Sequence, residues 1–253
     1  MSPDALTVQT RTRAHWEAID LGFALVQAHW RNLYAAWLVV ILPATLLALT
    51  LAYLSNRDGK GIMYGLVLLW WLKPLYDRVL LHVMSRAVFG ETVSWRGTLR
   101  AIPGLLLHSG LFRALTWRRF SPQRSFRLPT WQLEGVTGQA RRRRLRALNG
   151  RGAIRLIFVC STFETILSFG MVGLLLMLLP PESILSHLKD AFVSSFKVAS
   201  YFIYLFVITI IEPFYVAAGF MLYLNQRTEL EGWDIELGFR TLANRLATQQ
   251  APS

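Results

Sequence analysis

Apolar residues are unevenly spread along this chain and gather in four places. Positions 35–54 contain no charge, 156–179 contain one acid (Glu164), and 201–224 contain one acid (Glu212). Each is long enough for a helix that crosses a bilayer, which needs about 20 mostly apolar residues. The fourth place, 62–72, is wholly apolar but covers roughly 16 Å at 1.5 Å per residue. A crossing there must continue through Lys73, Pro74, Asp77 and Arg78 to about residue 84. The pattern predicts an all-α integral membrane protein, one membrane domain over 1–253, with spans at 35–54, 62–84, 156–179 and 201–224.

The remaining segments have periodic rather than continuous apolarity. Trp16, Ile19, Phe23, Val26, Trp30, Leu33 and Trp37 recur at alternating spacings of three and four, one stripe of an amphipathic helix over 14–34. Such a stripe faces either the membrane interface or the rest of the protein, and periodicity does not separate the two. Residues 95–117 predict a helical hairpin broken at Pro103 and Gly104, and 118–152 a polar, flexible loop. After the last span, Thr228 and Glu231 have capping-box spacing. They predict a helix over 228–248 with Ile235, Phe239, Leu242 and Leu246 on one stripe. No signal peptide is expected, because the first apolar run arrives late and is as long as an anchor.

Charge orients this framework. The chain has 253 residues, 53% hydrophobic and 17% charged, with a formal net charge of +12. So little charge excludes a disordered chain. Fifteen arginines lie between Arg86 and Arg155 against two acids, Glu91 and Glu134, a net of +13, and the remainder is near neutral at −1. The excess therefore belongs to the connection between the second and third spans, 85–155. The positive-inside rule puts that connection, and with it both termini, in the cytoplasm.

Two tetrapeptides echo each other: Lys73-Pro74-Leu75-Tyr76 in the second span and Glu212-Pro213-Phe214-Tyr215 in the fourth. Each precedes an amphipathic segment with a tryptophan, Trp95 or Trp233. This suggests an internal duplication in parallel orientation. It also sets Lys73 and Glu212, of opposite charge, at similar depth. Asp77, four residues after Lys73, competes for the lysine. Glu164 is then left for Arg78, a water cavity or protonation.

Intramembrane ionisable groups are the main chemical candidates. Lys73, Asp77, Arg78, Glu164 and Glu212 read either as an ion or proton pathway or as a structural network, and their near balance of sign favours the network. Arg141, Arg142, Arg143, Arg144 and Arg146 form a juxtamembrane basic run that sets topology or contacts anionic lipid. Nucleic acid is not an expected partner, since no readout module accompanies the run. Enzyme motifs are lacking: the five histidines are dispersed, and no G-x-S-x-G, Walker A or G-x-G-x-x-G is present. Cys160, inside the third span, reads as a small apolar residue. No cofactor or metal is expected.

The strings LKPLYDRVLLHVMSRAVFGE (72–91) and EPFYVAAGFMLYLNQRTELEGWDIELGFR (212–240) resemble a family of uncharacterised integral inner-membrane proteins of Gram-negative bacteria. The resemblance implies a component of a multi-protein system, with MoxR-type AAA+ ATPases and RDD-type and sporulation-M-like membrane proteins as neighbours. It implies no activity and no site residues. The expectation is a non-enzymatic inner-membrane scaffold that presents a basic cytoplasmic surface to protein partners or anionic lipid. The alternative is a small homo-oligomeric transporter or channel subunit that uses Glu164 and Glu212.

Overall fold

A computed structural model describes residues 13–56, 59–107, 115–116, 121–136, 138–148, 150–177 and 189–232. Among these residues every regular element is helical: α1 (His15–Ala28), α2 (Trp30–Leu54), α3 (Gly61–Trp71), α4 (Lys73–Val88), α5 (Trp95–Leu107), α6 (Arg124–Gln132), α7 (Gly138–Ala147), α8 (Arg151–Met177) and α9 (Lys189–Glu231). Three helices are long and apolar enough to cross a membrane: Trp30–Leu54, Gly152–Met177 and Ser195–Glu231.

The segment 62–84 is not one helix. The chain turns at Leu72 (φ −81°, ψ −3°), and Pro74 occupies the first turn of α4, where a missing N–H leaves no helical bond unmade. Pro213 lies inside α9 and Pro103 inside α5, both continuous. The two prolines of the echoed tetrapeptides thus have different roles, and the hairpin expected at 95–117 has no break at Pro103. Its return arm includes residues 108–114, outside the described residues.

Small residues let α2 and α3 lie side by side. Ala44, Ala48 and Ala52 on α2 are buried, as are Gly61, Gly65 and Leu69 on α3. A Cβ on Gly61 would fall 2.0 Å from the Ala52 carbonyl oxygen, and one on Gly65 2.9 Å from that of Ala48. Such four-residue spacing of small side chains is how helices pack closely where the hydrophobic effect is weak.

The core is centred on α4 and the second half of α9. Thirteen of the sixteen α4 residues are buried, and so is every residue of 215–224. The N-terminal stripe faces protein: Ile19, Val26, Leu33 and Trp37 are buried, whereas Trp16 and Trp30 are half exposed. At Gly22, α1 approaches α9 so closely that a Cβ would lie 2.6 Å from the Ala218 Cα. The clamp is completed by Asn225, which accepts from the Arg13 N–H and donates to the Arg13 carbonyl, both at 2.9 Å. By contrast α8 rests on α9 along one side only, leaving Phe158, Phe163, Ile166 and Phe169 exposed.

Two further expectations change. The supposed loop at 118–152 contains α6 and α7, because Ser125, Phe126, Pro129 and Thr130 give α6 a stripe that buries against the core. The capping box at Thr228 does not open a new helix. Thr228 Oγ1 donates backwards to the Leu224 carbonyl at 2.9 Å, and α9 runs on to Glu231, ending before Gly232 (φ +62°). Residues 233–248 lie outside the described residues.

Candidate functional site: a buried charge network

Lys73 and Asp77 stand one turn apart on α4, so both project toward the same neighbours. Lys73 Nζ donates to both oxygens of Glu164 on α8, at 2.8 and 2.9 Å, and lies 3.1 Å from Glu212 Oε2 on α9. The second Glu212 oxygen accepts from Arg124 Nη2 at 2.8 Å, and Arg124 Nε meets Asp77 Oδ2 at 2.7 Å. Five side chains from four helices therefore form one chain of ion pairs: Glu164, Lys73, Glu212, Arg124, Asp77. Asp77 and Glu212 are almost wholly enclosed, while Glu164 is about one-fifth exposed.

Arg124 is the member that sequence reasoning left in a loop. It is the first residue of α6, and α6 reaches the core because Gly219 makes room. A Cβ at Gly219 would sit 2.2 Å from Ser125 Oγ. The Ser125 N–H donates to the Tyr215 hydroxyl at 3.4 Å, and the Arg124 guanidinium lies 5.5 Å from the Tyr215 ring centre. Burial opposes the charge on Arg124, but Asp77, Tyr215 and Glu212 outweigh it and strengthen its hold on its proton. One signal could have found it: the three span acids Asp77, Glu164 and Glu212 outnumber the two span cations Lys73 and Arg78 by one.

Arg78 lies beside the network, drawn to the charge of Asp77. Its Nη1 donates to the Leu105 carbonyl at 3.3 Å, tying α4 to α5, and its own carbonyl accepts from Gln132 Nε2 at 2.8 Å. Glu164 is paired with Lys73 rather than with Arg78.

A cleft of about 200 Å³ borders the network, with Trp70, Lys73, Cys160, Glu164, Glu212 and Tyr215 in its wall. Among the described residues no group of three His, Cys, Asp or Glu could hold a metal ion.

The basic run divides by direction. Arg141 stacks on Trp131, its guanidinium carbon 3.9 Å from the ring centre. Arg144 turns inward, binding both Glu134 oxygens at 2.9 to 3.2 Å and also pairing with Glu231 at the end of α9. Its hydrogen bond to Glu134 is the largest influence holding the Arg144 charge, which strengthens its grip on its proton. Arg142, Arg143 and Arg146 are exposed. The five arginines thus do not share one surface. Comparison with protein-family models, with curated proteins and with solved structures gives no match.

Proposed function

We propose that this chain is a non-enzymatic scaffold of the bacterial inner membrane. It would cross four times, through α2, the α3–α4 pair, α8 and α9, with both termini in the cytoplasm. The α3–α4 pair supplies about 40 Å of helix for the second crossing, and the arginine excess of 85–155 supports the orientation. The echoed tetrapeptides fit two like halves, each a span pair followed by a cytoplasmic segment. The observation that carries the scaffold reading is the pairing itself. Every acid in the buried network has a cation within 3.1 Å. The charges thus join α4, α6, α8 and α9 instead of offering a lone acid or base for chemistry. Exposed Arg142, Arg143 and Arg146 would meet protein partners or anionic lipid, and the family resemblance favours membrane or ATPase-system proteins as those partners. The test is crosslinking and recovery of partners from cells carrying Arg142→Gln, Arg143→Gln and Arg146→Gln together. Partner recovery should fall by about tenfold or more, two arginines being worth at least that near a charged surface. Full recovery of every partner would restrict the run to topology.

A second reading is favoured by the cleft beside Lys73, Glu164 and Glu212: an oligomeric transporter or channel subunit. Ion or proton flux into proteoliposomes that disappears with Glu212→Gln, the protein remaining folded, would replace the scaffold reading with this one.

A further inference from the structure

Helix α8 is gripped at its start and tied once near its middle. Gly152, Ala153 and Leu156 are buried. A Cβ on Gly152 would fall 2.5 Å from His15 Cδ2 and 3.2 Å from Leu222 Cδ2, so α1 and α9 close tightly on the helix there. From Ile157 to Met177 no residue is buried. Gly170 and Gly173 have nothing within 4 Å of a Cβ, unlike Gly61 and Gly65, whose missing side chains let α2 and α3 interlock. Among the described residues, the ion pair that ties α8 to another helix is Glu164 with Lys73. At 1.5 Å per residue it lies roughly 18 Å along the helix from Gly152.

The face that carries Glu164 also walls the cleft. Ile157, Cys160, Ser161 and Glu164 recur at spacings of three and four, which puts them on one side of α8. They enclose the cleft from that side, with Lys73 and Glu212 opposite. Glu164 can let go of Lys73 without stranding it. Lys73 keeps Glu212 at 3.1 Å, and Glu164 is already about one-fifth exposed. Breaking such a pair costs less than breaking an enclosed pair whose loss leaves a buried charge alone. A helix gripped at one end and clasped at a single point further along has the layout of a hinge.

We propose that α8 is a gate, pivoting at Gly152 and held shut over the cleft by the Glu164–Lys73 clasp. Its opening lets water reach Lys73 and Glu212. The gate goes beyond the scaffold reading and does not rest on it, since its readouts are local accessibility and distance rather than partner recovery or flux.

Cys160 is the single cysteine of the chain and stands in the cleft wall, so its modification rate reports opening. The full-length protein in lipid nanodiscs is reacted with a water-soluble maleimide. Glu164→Gln, melting like the parent, should raise the rate at Cys160 about tenfold. Thr165→Val removes a hydroxyl that donates to the Ser161 carbonyl of the same helix at 2.8 Å, and should leave the rate unchanged. If Glu164→Gln does not fold, Glu164→Asp, which keeps the charge but reaches less far, should raise the rate about threefold. Spin labels then locate the motion. In a Cys160→Ser background, Leu47→Cys is paired with Phe158→Cys or with Phe169→Cys, all three being exposed positions. Residues 158 and 169 lie roughly 9 Å and 25 Å from Gly152, so Glu164→Gln should shift the distance to 169 about three times as far as that to 158. A parent-like labelling rate in Glu164→Gln, or equal shifts at the two positions, would overturn the gate.

Discussion

Replacing Arg124 by Met is the sharpest perturbation available, because one side chain closes two ion pairs at 2.7 and 2.8 Å. The two acids are not left equally. Glu212 keeps Lys73 at 3.1 Å, whereas Asp77, 1% exposed, loses its salt-bridge cation. An orphaned buried charge costs about 3–5 kcal/mol, against about 0–1 kcal/mol for a surface pair. For a chain of this length that corresponds to a fall in melting temperature of roughly 10 °C. Arg124→Lys should lie between, since a single ammonium cannot bridge both carboxylates as the guanidinium fork does. Adding Asp77→Asn to Arg124→Met removes the orphaned charge and should recover part of the loss, a coupling of about 1–3 kcal/mol. Thermal unfolding in detergent, followed by near-ultraviolet circular dichroism, reads the parent, these three variants and Asp77→Asn alone. If Arg124→Met melts within about 2 °C of the parent, or if the two substitutions simply add, the ion-pair chain does not hold α6 in place.

Four other substitutions probe the packing and the ion pairs of α7. Gly65→Leu drives a side chain into the Ala48 carbonyl and should cost at least about 1–3 kcal/mol. Gly104→Ala, with nothing within 4 Å of its Cβ, should be neutral or stabilising by about 0.5–1 kcal/mol; the contrast is read by thermal melts. Gly219→Ala should unseat α6 and speed proteolytic cleavage within 121–136, with partial rescue by Ser125→Gly, because the clash is with Ser125. Arg144→Ala should raise amide exchange across α7 about tenfold while leaving exchange in α4 unchanged, since Arg144 latches α7 to Glu134 and Glu231.

The long apolar helices were legible because a bilayer-length run leaves little freedom in its interpretation. Lys73 and Glu212 were legible as partners from the two similar tetrapeptides, and the structure sets them 3.1 Å apart. The rest depended on geometry that no spacing encodes. The partner of Glu164 turns on which face of α8 meets α4. Arg124 was hidden because its neighbours in sequence are polar and arginine-rich, the composition of a loop, while the stripe that buries α6 is only two turns long. Thr228 shows the converse. Its capping-box spacing is real, but its hydroxyl bonds the preceding turn instead, and the helix continues. Gly61, Gly65 and Gly219 gave no signal of their own, because a glycine chosen for close approach looks like any other until its neighbour is known.

The order in which the ion pairs become available along the chain has a consequence for synthesis. Lys73, Asp77 and Arg124 are all made before Glu212, and the two oxygens of Glu212 join the lysine to the arginine. A nascent chain that has inserted α8 can pair Glu164 with Lys73, yet it has no bridge from that pair to Arg124 until α9 emerges. A chain that stops short of α9 also lacks the surface on which α1 and α6 dock. Helix α9 is thus the one that commits the described assembly. Interrupted products would hold two separate ion pairs, Lys73–Glu164 and Arg124–Asp77, with nothing to join them.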